Sequence, residues 1–147
     1  DYCIEKQIDV VNLSLGGAEP SEALEQQILR AKRAGIACIV AAGNSGNQVQ
    51  YPASSPNVLA VSAIGKFNEF PPDSYYTQTT TPFIDPNGFF AAKFSCFGLE
   101  IAVCGPGVAI ASSVPSNELR RMGRHVDGRF DPGLGMQPGF SGGQRWS

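Results

Sequence analysis

Two short loops hold the residue types that could do chemistry. In Gly43-Asn44-Ser45-Gly46-Asn47 an asparagine stands between glycines, which let the backbone turn sharply and leave the Asn44 carboxamide free to point into a crevice. Its NH2 group is a neutral donor that can be oriented in advance toward negative charge developing on an attacked carbonyl oxygen, an oxyanion-hole role. Taken alone, the pair reads first as an asparagine bonding its own backbone in a tight turn. The second loop is Leu13-Ser14-Leu15-Gly16-Gly17. Its glycines let another extended chain approach and pair with the backbone, or they are only a turn into a helix.

Other reactive groups are sparse. His125 is the only histidine and sits in a segment rich in Arg and Gly, where it reads as an exposed tail residue. Ser141, in Gly139-Phe140-Ser141-Gly142-Gly143, has a Gly-x-Ser spacing but lacks the small, apolar helix start that a nucleophile loop needs. Cys3, Cys38, Cys96 and Cys104 include no C-x-x-C pair, which argues against structural zinc. Cys38 and Cys104 lie in apolar runs, so the thiols are expected to be reduced packing residues.

The elements that must position the loops are legible. Asp9 to Leu15 reads as a short buried strand stopped by Gly16-Gly17. Ser21 can cap a following helix, with Glu22 and Glu25 at its positive end, Arg30, Lys32 and Arg33 at its negative end, and Gly35 closing it. Leu24, Ile28 and Ala31 give that helix one apolar face. Ile36 to Ala42 is a fully apolar second strand. The resulting βαβ unit is expected to put both loops on the same edge of a parallel sheet, so function should collect after Leu15 and after Ala42. A third apolar run spans Val58 to Ile64, and two short ones, Ile101 to Val103 and Val108 to Ala111, flank Gly105-Pro106-Gly107. Phe67 to Ala92, rich in Pro, Thr and aromatics, reads as an inserted surface excursion with an aromatic underside.

Composition narrows the function classes. In 147 residues, 11 Lys plus Arg face 13 Asp plus Glu for a formal charge of −2. With no dense basic run, no nucleic-acid partner is expected. No apolar stretch is long enough to span a bilayer, so no membrane partner is expected either. The chain opens on Asp1-Tyr2-Cys3 without an initiator Met or a basic-then-apolar leader, and is expected to be an internal piece of a longer protein. A nucleotide-binding reading of Gly43 to Gly46 is weak, because that loop leads into Tyr51-Pro52 and not into a helix amino end.

Taken in order, Asp9-Val10-Val11-Asn12-Leu13-Ser14-Leu15-Gly16-Gly17, Ile39-Val40-Ala41-Ala42-Gly43-Asn44-Ser45-Gly46, Tyr51-Pro52-Ala53, Val58-Leu59-Ala60-Val61, Phe94-Ser95-Cys96-Phe97-Gly98 and Gly105-Pro106-Gly107-Val108 resemble successive landmarks of the subtilisin-like serine peptidases. The resemblance runs from Asp9 to about Pro115 and implies an α/β fold, a partial subtilisin-like three-layer sandwich with a mainly parallel sheet. It implies peptide-bond hydrolysis by a serine nucleophile, a histidine base and an orienting aspartate. Asn44 matches the oxyanion-hole asparagine. Ser14, Leu15, Gly16 and Gly17 match the segment that pairs with an extended polypeptide substrate and walls its main pocket, and Ala41, Ala42 and Gly43 match the opposite wall. The resemblance also implies a secreted protein. No cofactor is evident; calcium is a family property that no carboxylate cluster here compels.

The departures are specific. The family's D-[ST]-G aspartate and H-G-T-H histidine would precede Asp1, and its G-T-S-M-A serine motif is missing, so the chain as written has no triad and is expected to be inactive alone. A noncatalytic peptide-binding module is the alternative. Residues 1–117 are expected to form a partial catalytic domain with an insertion at about 67–92, and residues 118–147 a non-homologous tail, disordered or frameshifted. Read one nucleotide later, codons for Glu118 through Arg129 permit NYAAWDGTSMAA. Its tryptophan is forced, since Met122 is ATG and Gly123 begins with G.

Overall fold

The computed structural model describes residues 1–17 and 19–110. A short helix α1 (Tyr2–Glu5) leads into strand β1 (Val10–Leu13), helix α2 (Glu22–Arg33), strand β2 (Ala37–Ala41) and strand β3 (Leu59–Lys66). A 3-10 turn (Tyr75–Thr79), strand β4 (Phe89–Ala91) and strand β5 (Ile101–Pro106) follow. The strands form one five-stranded sheet in which β1, β2, β3 and β5 run parallel and only β4 is antiparallel. Parallel pairing of β1 with β2 sends both of their carboxyl ends to one edge, as the strand-helix-strand reading requires.

Helix α2 starts where expected. Ser21 is extended, with φ −116° and ψ 111°, and its Oγ accepts the Leu24 N–H at 3.3 Å. That satisfies one of the free amides of the first turn. Past the cap residue Ala34, Gly35 takes φ +83°, the left-handed conformation that glycine adopts without strain. Ile28 is buried. At the far end Lys32 Nζ reaches across to Asn57 Oδ1 at 3.0 Å.

The core lies where β2 and β3 meet the loops that follow them. Val40 and Ala60 are fully buried and cluster with Ala42, Val49, Ala53 and Cys96. The excursion after β3 has the aromatic underside expected of it: Phe70 stacks edge-on against Phe90 with ring centroids 6.2 Å apart, and both are buried.

Three features depart from the sequence reading. Residues 89–91 are a strand, because Phe89, Phe90 and Ala91 pair with Lys66, Gly65 and Ile64 of β3. Gly105 and Pro106, outside both short apolar runs, are the end of β5, paired with Ala63 and Ile64. Close packing dictates the small residues there: a Cβ at Gly107 would fall 2.6 Å from Ala63 Cβ. Cys104 is exposed, not packed, and accepts a hydrogen bond from Ser62 Oγ at 2.9 Å. All four cysteines are free thiols, and burial of Cys38, helped by nearby Cys3, pushes its thiol pKa up.

A methyl at Gly65 would collide with the Phe90 ring and lie 2.9 Å from Val108 Cβ. Gly65→Ala is therefore expected to cost about 1–3 kcal/mol in urea unfolding. Gly17→Ala, with nothing within 4 Å of the added atom, is the control and should stay within about 0.5 kcal/mol.

Candidate functional site

The loop after β2 is built around two left-handed glycines, Gly43 at φ +106° and Gly46 at φ +65°. A Cβ at Gly43 would lie 3.0 Å from Cys96 Sγ, and one at Gly46 would lie 3.0 Å from the Lys93 carbonyl oxygen. Backbone bonds stitch the loop to the segment after β4: Gly46 N–H to Phe94 O at 2.7 Å, Cys96 N–H to Gly43 O at 3.0 Å, and Phe97 N–H to Asn47 O at 3.0 Å. Ser45 Oγ and Cys96 Sγ add a contact at 3.2 Å. Between these fixed points Asn44 is exposed. Its carboxamide makes no hydrogen bond to the described residues, so it is not spent on its own loop.

Asn44 lines a cleft of about 250 Å³ at the carboxyl edge of the sheet, together with Ala41, Ala42, Gly43, Asn12 and the Gly105–Gly107 end of β5. Every lining residue is uncharged. Any charge that develops in the cleft therefore meets only neutral donors and backbone dipoles.

Ser14, Leu15, Gly16 and Gly17 emerge at the same edge but do not line this cleft. They run toward Tyr51: Gly17 N–H donates to the Tyr51 carbonyl at 2.9 Å in an isolated antiparallel bridge, and a Cβ at Gly16 would touch that oxygen at 3.5 Å. The structure thus groups Ala41 to Asn44 in one cleft and sets Ser14 to Gly17 along the Tyr51 turn. Asn12 lines the cleft and is absent from the sequence-derived set. Strand alternation, which points it to the same face as Ile39 and Ala41, was the signal available for it.

A larger cavity, about 400 Å³, lies between the start of α2 and residues 51–55. Its polar groups satisfy one another. Glu25 Oε1 accepts from Ser55 Oγ and Asn57 Nδ2, both at 2.9 Å, and Tyr51 OH donates to the Ser21 carbonyl at 3.1 Å. Burial, and then the Glu25 carboxylate, push the Tyr51 phenol above its ordinary pKa. This is a brace between helix and turn. Among the described residues no three His, Cys, Asp or Glu side chains form a metal cluster. His125, Ser141 and the rest of the tail lie outside the described residues.

Comparison with known proteins gives one consistent result. A family model described as Subtilase family matches residues 1–136. Subtilisin DY of Bacillus licheniformis is 35% identical over 122 residues, covering 80% of this chain and 37% of that protein. The thermostable alkaline protease of Halalkalibacterium halodurans is 35% identical over 118 residues, covering 80% and 27%. The minor extracellular protease Epr of Bacillus subtilis is 31% identical over 115 residues, covering 77% and 15%. The structure of the prenylagaramide maturation protease PagA shares the fold, with a TM-score of 0.51 at 24% identity over 72% of this chain and 34% of that one. The first curated relatives extend well beyond this chain, which spans 26% to 37% of their length.

Removing Glu25 leaves Ser55 and Asn57 without their shared acceptor. Glu25→Ala should cost roughly 2 kcal/mol in denaturant unfolding and should lower the Tyr51 pKa part of the way toward 10.0, read by phenolate absorbance. Because the folded Tyr51 pKa is raised, its contribution is complete below the unfolded value of 10.0 and is lost as pH climbs through the folded value. Alkaline loss of stability should therefore be shallower in Tyr51→Phe.

Proposed function

This chain belongs to the subtilase family, and we propose that it is part of the catalytic domain of a secreted serine endopeptidase, supplying the oxyanion donor and the substrate walls. The observation that carries the reading is Asn44: an exposed carboxamide without a hydrogen-bond partner among the described residues, on a loop fixed by backbone bonds at the carboxyl end of a buried strand. Such a donor costs no reorganisation when a peptide carbonyl becomes tetrahedral and its oxygen gains charge. Gly43, Ala42 and Ala41 form one wall of the substrate site, with little bulk to exclude a side chain. Ser14 to Gly17 pair with the backbone of an extended polypeptide, as an added strand pairs with a sheet edge.

The chain holds neither the family's aspartate and histidine motifs nor its serine motif. Without a nucleophile or a base the acyl-transfer step has no attacking group, so this chain is inactive by itself. We read the residues after Asn117 as a shifted reading of codons whose degeneracy permits the serine motif one nucleotide later. Relatives named as proteases, one of them extracellular, support the enzyme class and the compartment.

Three measurements test this. A fluorophosphonate probe should leave the chain unlabelled, and labelling at Ser141 overturns the assignment. The coding DNA should be able to spell G-T-S-M-A one nucleotide out of frame after Asn117; codons that cannot do so refute the shifted reading. In a parent that carries all three triad residues, Asn44→Ala should lower kcat by about 10²–10³ with little change in KM, a magnitude taken from subtilisin itself. An unchanged kcat removes Asn44 from the oxyanion site.

A further inference from the structure

Strand β1 reads Val10-Val11-Asn12-Leu13, and Asn12 is its one polar residue. Asparagine is disfavoured in strands, and this side chain is exposed, so no burial offsets that preference. It has instead a directed contact. Asn12 Nδ2 donates to Ser14 Oγ at 3.1 Å, while its Oδ1 accepts no bond among the described residues. Beyond β1 the chain is irregular until Gly17 bonds to Tyr51. Over that span, Ser14, Leu15 and Gly16 have no backbone hydrogen bond among the described residues. The glycine-bearing segment therefore hangs between two anchors, the Asn12–Ser14 side-chain bond and the Gly17–Tyr51 bridge. Asn12 also lines the cleft that Asn44 lines, so one residue touches both parts of the site.

We propose that Asn12 is a positioning residue: its carboxamide fixes Ser14 and thereby sets the course of Ser14 to Gly16 beside the cleft. The consequence for peptide binding rests on the reading of Ser14 to Gly17 as the substrate-pairing segment. Loss of one neutral hydrogen bond changes an equilibrium by roughly three- to tenfold.

The test is 15N backbone relaxation on the intact chain, with binding of acetyl-tetraalanine amide measured alongside. Asn12→Ala should lower the order parameters of Ser14, Leu15 and Gly16 into the flexible range below about 0.6 while the melting temperature stays unchanged. Asn12→Asp should restore the wild-type values, because its carboxylate accepts from the Ser14 hydroxyl with donor and acceptor reversed. Ser14→Ala, which cuts the same bond from the other side, should match Asn12→Ala and serves in its place should the latter fail to fold. Equal order parameters in wild type, Asn12→Ala and Ser14→Ala overturn the proposal, as does an Asp variant no more ordered than Ala. Lower order parameters in a chain whose wild type binds no peptide uphold the positioning role and count against the substrate reading of the segment. Peptide binding by the wild type that Asn12→Ala leaves untouched refutes the role of Asn12 in binding.

Discussion

The site depends on one backbone clamp. Residues 43–49 and 94–97 are joined by Gly46 N–H to Phe94 O, Cys96 N–H to Gly43 O, Phe97 N–H to Asn47 O and Val49 N–H to Phe97 O. Such close approach is possible only because Gly43 and Gly46 lack a Cβ and tolerate positive φ. The clamp fixes the backbone on both sides of Asn44 and leaves its side chain without a hydrogen-bond partner among the described residues. An oxyanion donor is useful to the extent that it is already in place when charge appears. The bonds that fix Gly43 and Gly46 therefore act on Asn44 by holding the backbone on either side of it.

The sheet beneath the clamp is unevenly covered among the described residues. Val40, Ala42 and Ala60 are buried. On the opposite face, alternation and register bring Val10, Ala41, Leu59 and Val103 to the surface, and Val10, Leu59 and Val103 are each about half exposed. Apolar side chains in adjacent strands on one face normally lie under another layer. The described residues are thus a partial subtilisin-like α/β sandwich whose sheet presents more apolar surface than one helix can cover. With about 25 cal/mol forgone for each Å² of apolar area left in water, such a fold has a narrow margin over chain entropy.

Local chemistry made much of this legible in the sequence. Ser21, the flanking charges and Gly35 bounded α2 because capping acts within one turn, and the apolar runs located β1, β2 and β3, although β1, read as a buried strand, has no fully buried residue and one face of each strand is only partly covered. The two loops followed from topology alone. Non-local features were harder to read. Gly105-Pro106 lies outside both short apolar runs, but pairing with Ala63 and Ile64 draws it into β5. Phe89 to Ala91 becomes strand only because β3 runs on to Lys66. Asn12 reads as an ordinary outward-facing strand residue until its contact with Ser14 is known. The clamp partners Phe94 to Phe97 have no local mark of their role, since what they hold lies some fifty residues earlier in the chain.

The absence of charge in the cleft decides between two kinds of ligand chemistry. A site for phosphate or carboxylate would face a standing negative charge and would need Lys, Arg or a helix amino end to offset its desolvation. None of these lines this cleft, whose polar side chains are those of Asn12, Asn44, Ser62 and Ser95. Neutral donors suit a group that enters uncharged and becomes charged only at the top of the barrier. They bind the ground state weakly and the transition state strongly, and only that difference accelerates a reaction. A peptide carbonyl attacked by a nucleophile is such a group. Two serines line the cleft, but Ser62 Oγ donates to Cys104 Sγ and Ser95 Oγ accepts from Ala63 N–H, and no His, Asp, Glu or Lys lines it, so no base stands beside either hydroxyl to activate it.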